Sequence, residues 1–188
     1  QAGVDEAEDV IRVHSDPAAI DAGDWDALLE TQEAPTPFLR HAYLVALHSS
    51  GSAVPNTGWA PRFLTVHSAG KLRAACALYL KSHSYGEYVF DWAWADAYQR
   101  HGLHYYPKLL VAVPFTPVPG SRLLAADGAA RAALLTALKR LAQGSHASSV
   151  HVLFHDGDDG AVASQQHWLG RQSVQFHWEQ PVASPWTS

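Results

Sequence analysis

Between residues 109 and 154 the chain sets one long amphipathic segment between two short runs that are almost wholly apolar, and this arrangement restricts the folds open to it. The run 109–115 reads as a strand covered on both faces, because a strand with one wet face alternates apolar and polar side chains and this one does not. Asp127 then reads as the N-cap of a helix whose inward stripe is Leu134, Leu135, Leu138, Leu141 and Ala142. Lys139 and Arg140 lie near its negative end and Gly144 lies beyond it. Residues 149–154 read as a second buried strand. Strands of this kind need helices above and below, so the segment predicts a mixed α/β (α+β) domain, a mixed sheet with helices on both faces.

The rest of the chain supplies elements of the same kind. A short strand is predicted over 10–14, and Asp16 followed by Pro17 predicts a helix over 17–30 with Ile20, Trp25, Leu28 and Leu29 inward. The run Ala34-Pro35-Thr36-Pro37 stops it, and a second helix follows over 39–49. Residues 62–67 and 72–81 fit an antiparallel hairpin about Ser68-Ala69-Gly70-Lys71. Asp91 is placed as the cap of a helix over 92–101, a further helix over 160–169 and a last strand over 173–178. With 188 residues, 47% of them hydrophobic, the chain suits one domain over 10–178, flanked by a frayed acidic start (1–9) and an irregular tail (179–188).

Composition excludes several functions. A net charge of -5 and a pI near 6.2 give no general attraction to phosphate, so direct binding to nucleic acid is not expected. Cys76 is the single cysteine, which rules out an internal disulfide, suits a reducing compartment such as the cytoplasm or an organellar matrix, and reads as a small core residue. No apolar run approaches the ~20 residues of a membrane span. The lack of methionine, even at position 1, is read as a start inside a longer precursor or an excised piece. His151 and His155 are four apart in a predicted strand, which separates them by about 13 Å and keeps them off one ion. His101 and His104, either side of Gly102, are the one pair placed for joint ligation, and no metal site is predicted. Phosphate-binding glycine loops and the Gly-x-Ser-x-Gly elbow are absent from the sequence.

The chemistry concentrates where the hairpin's second strand runs into a polar, aromatic loop. His83 and Glu87 are the natural acid and base pair, since imidazole titrates near neutrality and a carboxylate shielded by rings can be raised toward it. Lys81 is placed to neutralise an anionic substrate or a developing oxyanion. Ser82, Tyr85, Asp91, Trp92 and Trp94, with Tyr105, Tyr106 and Lys108 at the mouth of the next strand, are the candidate substrate-binding residues. Glu87 paired with Lys81 at the surface, and Asp91 serving only as a helix cap, are the plainer alternatives.

Four runs carry a resemblance. They are Pro37-Phe38-Leu39-Arg40-His41-Ala42-Tyr43-Leu44, the stretch from Tyr79-Leu80-Lys81-Ser82-His83 through Asp91-Trp92-Ala93-Trp94-Ala95, Tyr105-Tyr106-Pro107-Lys108-Leu109-Leu110, and Val113-Pro114-Phe115-Thr116-Pro117-Val118. Together they resemble the Fem-like branch of the GNAT acyltransferase superfamily, labelled peptidoglycan biosynthesis or recognition, over residues 25–178. The resemblance implies a GNAT-like mixed, largely antiparallel central sheet and transfer of an acyl or aminoacyl group to an amine, with a cell-wall peptide precursor as the acceptor class. It implies aminoacyl-tRNA or acyl-coenzyme A as donor and no other cofactor. Glu87 or His83 would be the base and Lys81 an oxyanion partner.

The chain departs from the family pattern in three places. GNAT enzymes that use coenzyme A bind its pyrophosphate with a glycine-rich turn between strand and helix, whereas 117–122 holds one Gly and two Pro. Fem-like proteins carry two GNAT-like halves, and this chain has one, which would leave a second half or another subunit as partner. Basic surface for a tRNA is scarce. A second reading is therefore a catalytically silent GNAT-like domain serving as a binding or structural subunit.

Overall fold

The computed structural model describes residues 9–89, 91–172, 174 and 176. Asp16 does cap a helical turn, but only the 3-10 turn Pro17–Ala19, because Ile20 is extended (φ -100, ψ 139). A second cap, Asp21, whose carboxylate accepts the Asp24 amide at 2.8 Å, starts helix α1 (Ala22–Glu30). The helix expected over 17–30 is thus two pieces. Arg40 divides the next one in the same way, into the turn Pro37–Leu39 and helix α2 (His41–Ser49).

Eight strands form two four-stranded sheets among the described residues. The first has the order β1 (Val10–His14), β3 (Phe63–Ser68), β4 (Lys71–Cys76), β7 (Leu124–Ala125), all antiparallel. The second has the order β2 (Trp59–Pro61), β5 (Leu78–Lys81), β6 (Lys108–Val111), β8 (Val150–Val152), parallel only at β6/β8. The predicted hairpin is present, with Ala69 and Gly70 both at positive φ (48° and 77°) as a two-residue turn of matching twist requires. Its second strand changes sheets at Ala77, and Arg62 marks the same change between β2 and β3. The one sheet expected from the sequence is therefore two sheets that share these crossings.

Alternate residues of the crossing strand face opposite layers. Ala75, Ala77 and Tyr79 pack with Trp25, Leu28 and Leu29 of α1 and Leu44 of α2. Ala74, Cys76 and Leu78 pack with Leu134, Leu135 and Leu138 of α4 (Gly128–Gly144). Trp25 fixes the first layer by donating its indole N–H to Leu39 O at 2.8 Å and stacking on Phe63 at 5.8 Å. In the second layer each buried leucine of α4 contributes about 1.5–3 kcal/mol relative to exposure. Asp127 caps α4 through Ala130 N. Helix α5 (Gly157–Gln165) begins earlier than the predicted 160–169, because Asp156 caps it through Asp159 N.

The apolar run 109–115 is strand only as far as Val111. Residues 112–123 then leave the sheet and return as β7, with Arg122 donating to the carbonyls of Leu153 (3.0 Å), Ser121 (3.3 Å) and Val118. Helix α3 (Trp92–Arg100) projects from the β5–β6 connection. Of the strand expected over 173–178, only Val174 and Phe176 are among the described residues, and both are exposed outside any strand. The calls on 1–8 and 179–188 lie outside the described residues. No helix among the described residues is long and apolar enough to cross a membrane.

Candidate functional site

Strand register sets the site. Trp59 of β2 lies beside Lys81 of β5, and Lys81 beside Lys108 of β6, so two ammonium groups sit side by side next to an indole. Like charges in adjacent strands repel. The 82–91 loop compensates by turning two carboxylates inward. Lys108 Nζ lies 2.8 Å from Glu87 Oε2, 2.6 Å from Asp91 Oδ2 and 2.8 Å from Ser84 Oγ, which uses all three of its hydrogens. Ser84 Oγ donates to Asp91 Oδ2 at 2.6 Å and lies 2.8 Å from Tyr106 Oη, while Tyr105 Oη donates to Asp91 Oδ2 at 3.0 Å.

Lys81 is held differently. Its Nζ sits 3.5 Å above the Trp59 ring, donates to Tyr85 O at 3.2 Å, and stops 3.9 Å short of Glu87 Oε1. Glu87 Oε1 and Asp91 Oδ1 are shielded from solvent with no hydrogen-bond partner among the described residues. The Lys81 and Glu87 side chains are both 0% exposed.

These surroundings shift the protonation of each group. Burial pushes Lys81 down to about 7, with Lys108 adding to the fall and Glu87 opposing it. Burial raises Glu87 above the ordinary carboxylate value despite the pull of Lys108 and Lys81. Burial would raise Asp91 too, yet the bonds from Lys108 and Ser84 outweigh it and hold that carboxyl low. Tyr105 is raised by burial and by the Asp91 charge, so its hydroxyl stays a donor.

Of the candidate residues, the structure gathers Lys81, Glu87, Asp91, Lys108, Tyr105 and Tyr106 into one network. The predicted His83–Glu87 pair is not a hydrogen-bonded pair. Gly86 (φ 81) and Tyr88 (φ 57) turn Glu87 inward, whereas His83 leans on Gly58 and packs against Tyr85 at 4.9 Å. Gly58 is needed there, since a Cβ on it would lie 2.2 Å from the His83 ring. Burial, and then the Lys81 charge, lowers the His83 pKa. Asp91 precedes α3 as expected but makes no side-chain cap bond, because its carboxylate is drawn to Lys108 and Ser84. The surface Glu87–Lys81 pair is likewise corrected to a buried carboxylate whose nearer partner is Lys108. Ser82, Tyr85, Trp92 and Trp94 are exposed, whereas Lys81, Glu87, Asp91 and Lys108 are all closed off from solvent. Residue-by-residue reading missed Ser84, which lies in the same loop, and Trp59, which only the β2–β5 register brings to Lys81.

The model of the FemAB-like family, described as peptidoglycan biosynthesis/recognition, matches residues 16–184. The chain belongs to that family. Among curated proteins no sequence matches significantly. Solved structures share its fold. A ribosomal-protein-alanine N-acetyltransferase from Brucella melitensis biovar Abortus 2308 superposes with a TM-score of 0.52 at 15% identity, over 92% of this chain and 99% of the other. An aminoglycoside N-acetyltransferase, AAC(6')-Iy, in complex with CoA gives 0.51 at 9% identity, over 93% and 97%. The FemAB-like domain thus has the GNAT acetyltransferase fold.

Coenzyme A, which that fold brings to mind, does not fit the start of α4 in this FemAB-like chain. A pyrophosphate there needs free amides and positive charge. Instead the Asp127 carboxylate takes the Ala130 amide at 2.8 Å and pairs with Arg73. The glycine-poor run 117–122 is occupied in holding Arg122 and Asp156, the latter through Ser121.

Proposed function

We propose that this FemAB-like domain transfers an acyl or aminoacyl group to an amine, with a cell-wall peptide precursor as the acceptor class. One observation carries the reading: a buried carboxylate of raised proton affinity, Glu87, keeps Oε1 unbonded 3.9 Å from the Lys81 amine. In this mechanism the acceptor nitrogen attacks the donor carbonyl, the C–N bond forms, and Glu87 removes the proton that the nitrogen must lose. The bond to the donor's leaving group then breaks, and that group departs with a proton. Lys81, when protonated, and Lys108 place positive charge beside the developing oxyanion. The 82–88 loop admits the acceptor. It is held shut by Phe115 N donating to Gly86 O at 3.1 Å and by Lys81 Nζ on Tyr85 O. Asp91, Ser84 and Tyr105 act through Lys108 and are positioning residues.

A second reading rests on the near-complete burial of the four charged side chains. In it the cluster only pins the loop, and the exposed Tyr85, Tyr88, Trp92 and Trp94 form a binding surface. The deciding experiment offers a lysine-containing pentapeptide with radiolabelled alanyl-tRNA or acetyl-coenzyme A and measures label on the peptide. Transfer is expected, slowed at least about 100-fold in Glu87→Gln under conditions where circular dichroism shows the variant folded. Absence of transfer from both donors, or full transfer by Glu87→Gln, overturns the catalytic reading.

A further inference from the structure

The sheet face that buries Phe63 under Trp25 turns polar farther along. In the register of β1 and β3, His14 lies beside Phe63, Arg12 beside Thr65, and Val10 beside His67. These side chains share one face of the pleat, the one that α1 covers at Trp25. Beyond the start of α1 the cover ends, and a hollow of about 350 Å³ remains, walled by the strands on one side and by Asp21 and Asp24 on the other. That volume is at the small end of the range that holds small-molecule ligands. The hollow is separate from the lysine–carboxylate cluster and shares none of its residues.

Three features distinguish it. The β3–β4 register shifts between Val66 and His67, so an irregularity re-aims the ladder at the point where His67 enters the wall. His67 Nδ1 is shielded from water and has no hydrogen-bond partner among the described residues. By contrast, His14 Nε2 is engaged with Thr65 Oγ1 at 2.9 Å, and Asp21 is engaged as the α1 cap. Arg12 and Asp24 both bear on His67 electrostatically, yet among the described residues they form no ion pair with each other or with another side chain. The hollow therefore offers a guanidinium on the strand wall and a carboxylate on the helix wall.

We propose that this hollow binds a small zwitterion of amino-acid or dipeptide size, its carboxylate on Arg12 and its ammonium on Asp24. A ligand of single charge meets a repelling partner across so small a space, whereas a zwitterion satisfies both walls. Burial, with Arg12 adding, lowers the pKa of both His14 and His67. Near neutral pH neither imidazole then adds positive charge to the strand wall. This site goes beyond the transfer reaction and stands whether or not Glu87 is catalytic.

Calorimetric titration of the whole chain with L-alanine and with L-alanyl-L-alanine tests it, and the pair distinguishes a free amino acid from a peptide end-to-end fit. Binding of at least one is expected, weakened about tenfold to a hundredfold by N-acetylation, by C-amidation, and in Arg12→Gln and Asp24→Asn. Arg100→Ala, on an exposed helix elsewhere, should leave it unchanged. The proposal is overturned if neither compound binds at about 10 mM. It is equally overturned if blocking either terminus, or removing Arg12 and Asp24, leaves the affinity as it was.

Discussion

Two sets of charges are buried in this domain, and their partners differ in kind. Asp159 on α5 spends Oδ2 on the main-chain amides of Arg122 (2.7 Å) and Leu123 (3.1 Å). Its other oxygen lies 3.1 Å from Arg131 Nε, although that N–H is aimed at Leu123 O. Arg131 in turn donates to Gln32 Oε1 at 2.8 Å, and Gln32 exchanges bonds with both backbone groups of Ala125. Each side chain there holds a piece of main chain in place, and α1, β7, α4 and α5 are tied together. The lysine cluster, by contrast, is almost entirely side chain to side chain, and it leaves Glu87 Oε1 and Asp91 Oδ1 without a hydrogen bond where the first set leaves Asp159 Oδ1. Charges that hold backbone make a fastening. Charges that hold mainly one another can change partners, and so take up a substrate's proton, without releasing main chain.

The largest expected effect falls on the lysine cluster. Lys108→Met leaves Glu87 and Asp91 buried with Lys81 as the nearest cation, and should cost about 3–5 kcal/mol of unfolding free energy in urea titrations. A loss under about 1 kcal/mol would mean that the cluster is already solvated and the contrast with Asp159 is false.

Next in size is the response to pH, where the two regions should have opposite signs. Lys81 falls from 10.5 to about 7, so between those values the folded chain holds fewer protons than the unfolded chain and stability rises with pH. Asp159 is raised by burial from 3.8 to about 6, so across that window the folded chain holds more protons and stability falls as pH rises. Each slope is at most about 1.4 kcal/mol per pH unit. Urea midpoints of wild type minus Lys81→Met should climb from pH 7 to 10, and those of wild type minus Asp159→Asn should drop from pH 4 to 6. Slopes of equal sign would break the comparison.

The smallest effect sharpens it by providing a baseline. Arg100 and Asp96 pair at 2.8 Å on the exposed face of α3, and Arg100→Ala should move the unfolding free energy by no more than about 0.5 kcal/mol. A larger change would show that α3 is coupled to the buried cluster.

What was legible in the sequence, and what was not, follows from where each residue's partners lie. Asp127 and the leucines of α4 were readable because the cap bond and the apolar stripe are both completed within one segment. Asp91 occupies the same kind of position before α3, yet it abandons the cap, since the charge-assisted bond to Lys108 is stronger than an exposed bond to an amide. His83 and Glu87 are close in sequence and were paired for that reason, but the positive φ values of Gly86 and Tyr88 send them to different places. Trp59 carries no local sign of a role. Its place beside Lys81 is a consequence of strand register.

The sequence by itself determined most of the helical and extended segments, though not the short strands β2 and β7 or the break at Ile20, and it determined the Ala69-Gly70 hairpin turn, the family motifs, and the loop in which the charges concentrate. Hydrophobic period, caps and turn conformations depend on neighbours along the chain, so they survive without coordinates. The tertiary structure alone decided that the sheet divides at Ala77, that two lysines stand side by side, which carboxylate answers which ammonium, and that a polar hollow opens beyond α1. Register and desolvation depend on residues distant in sequence, and a pKa is set by those residues and not by the motif that contains the group.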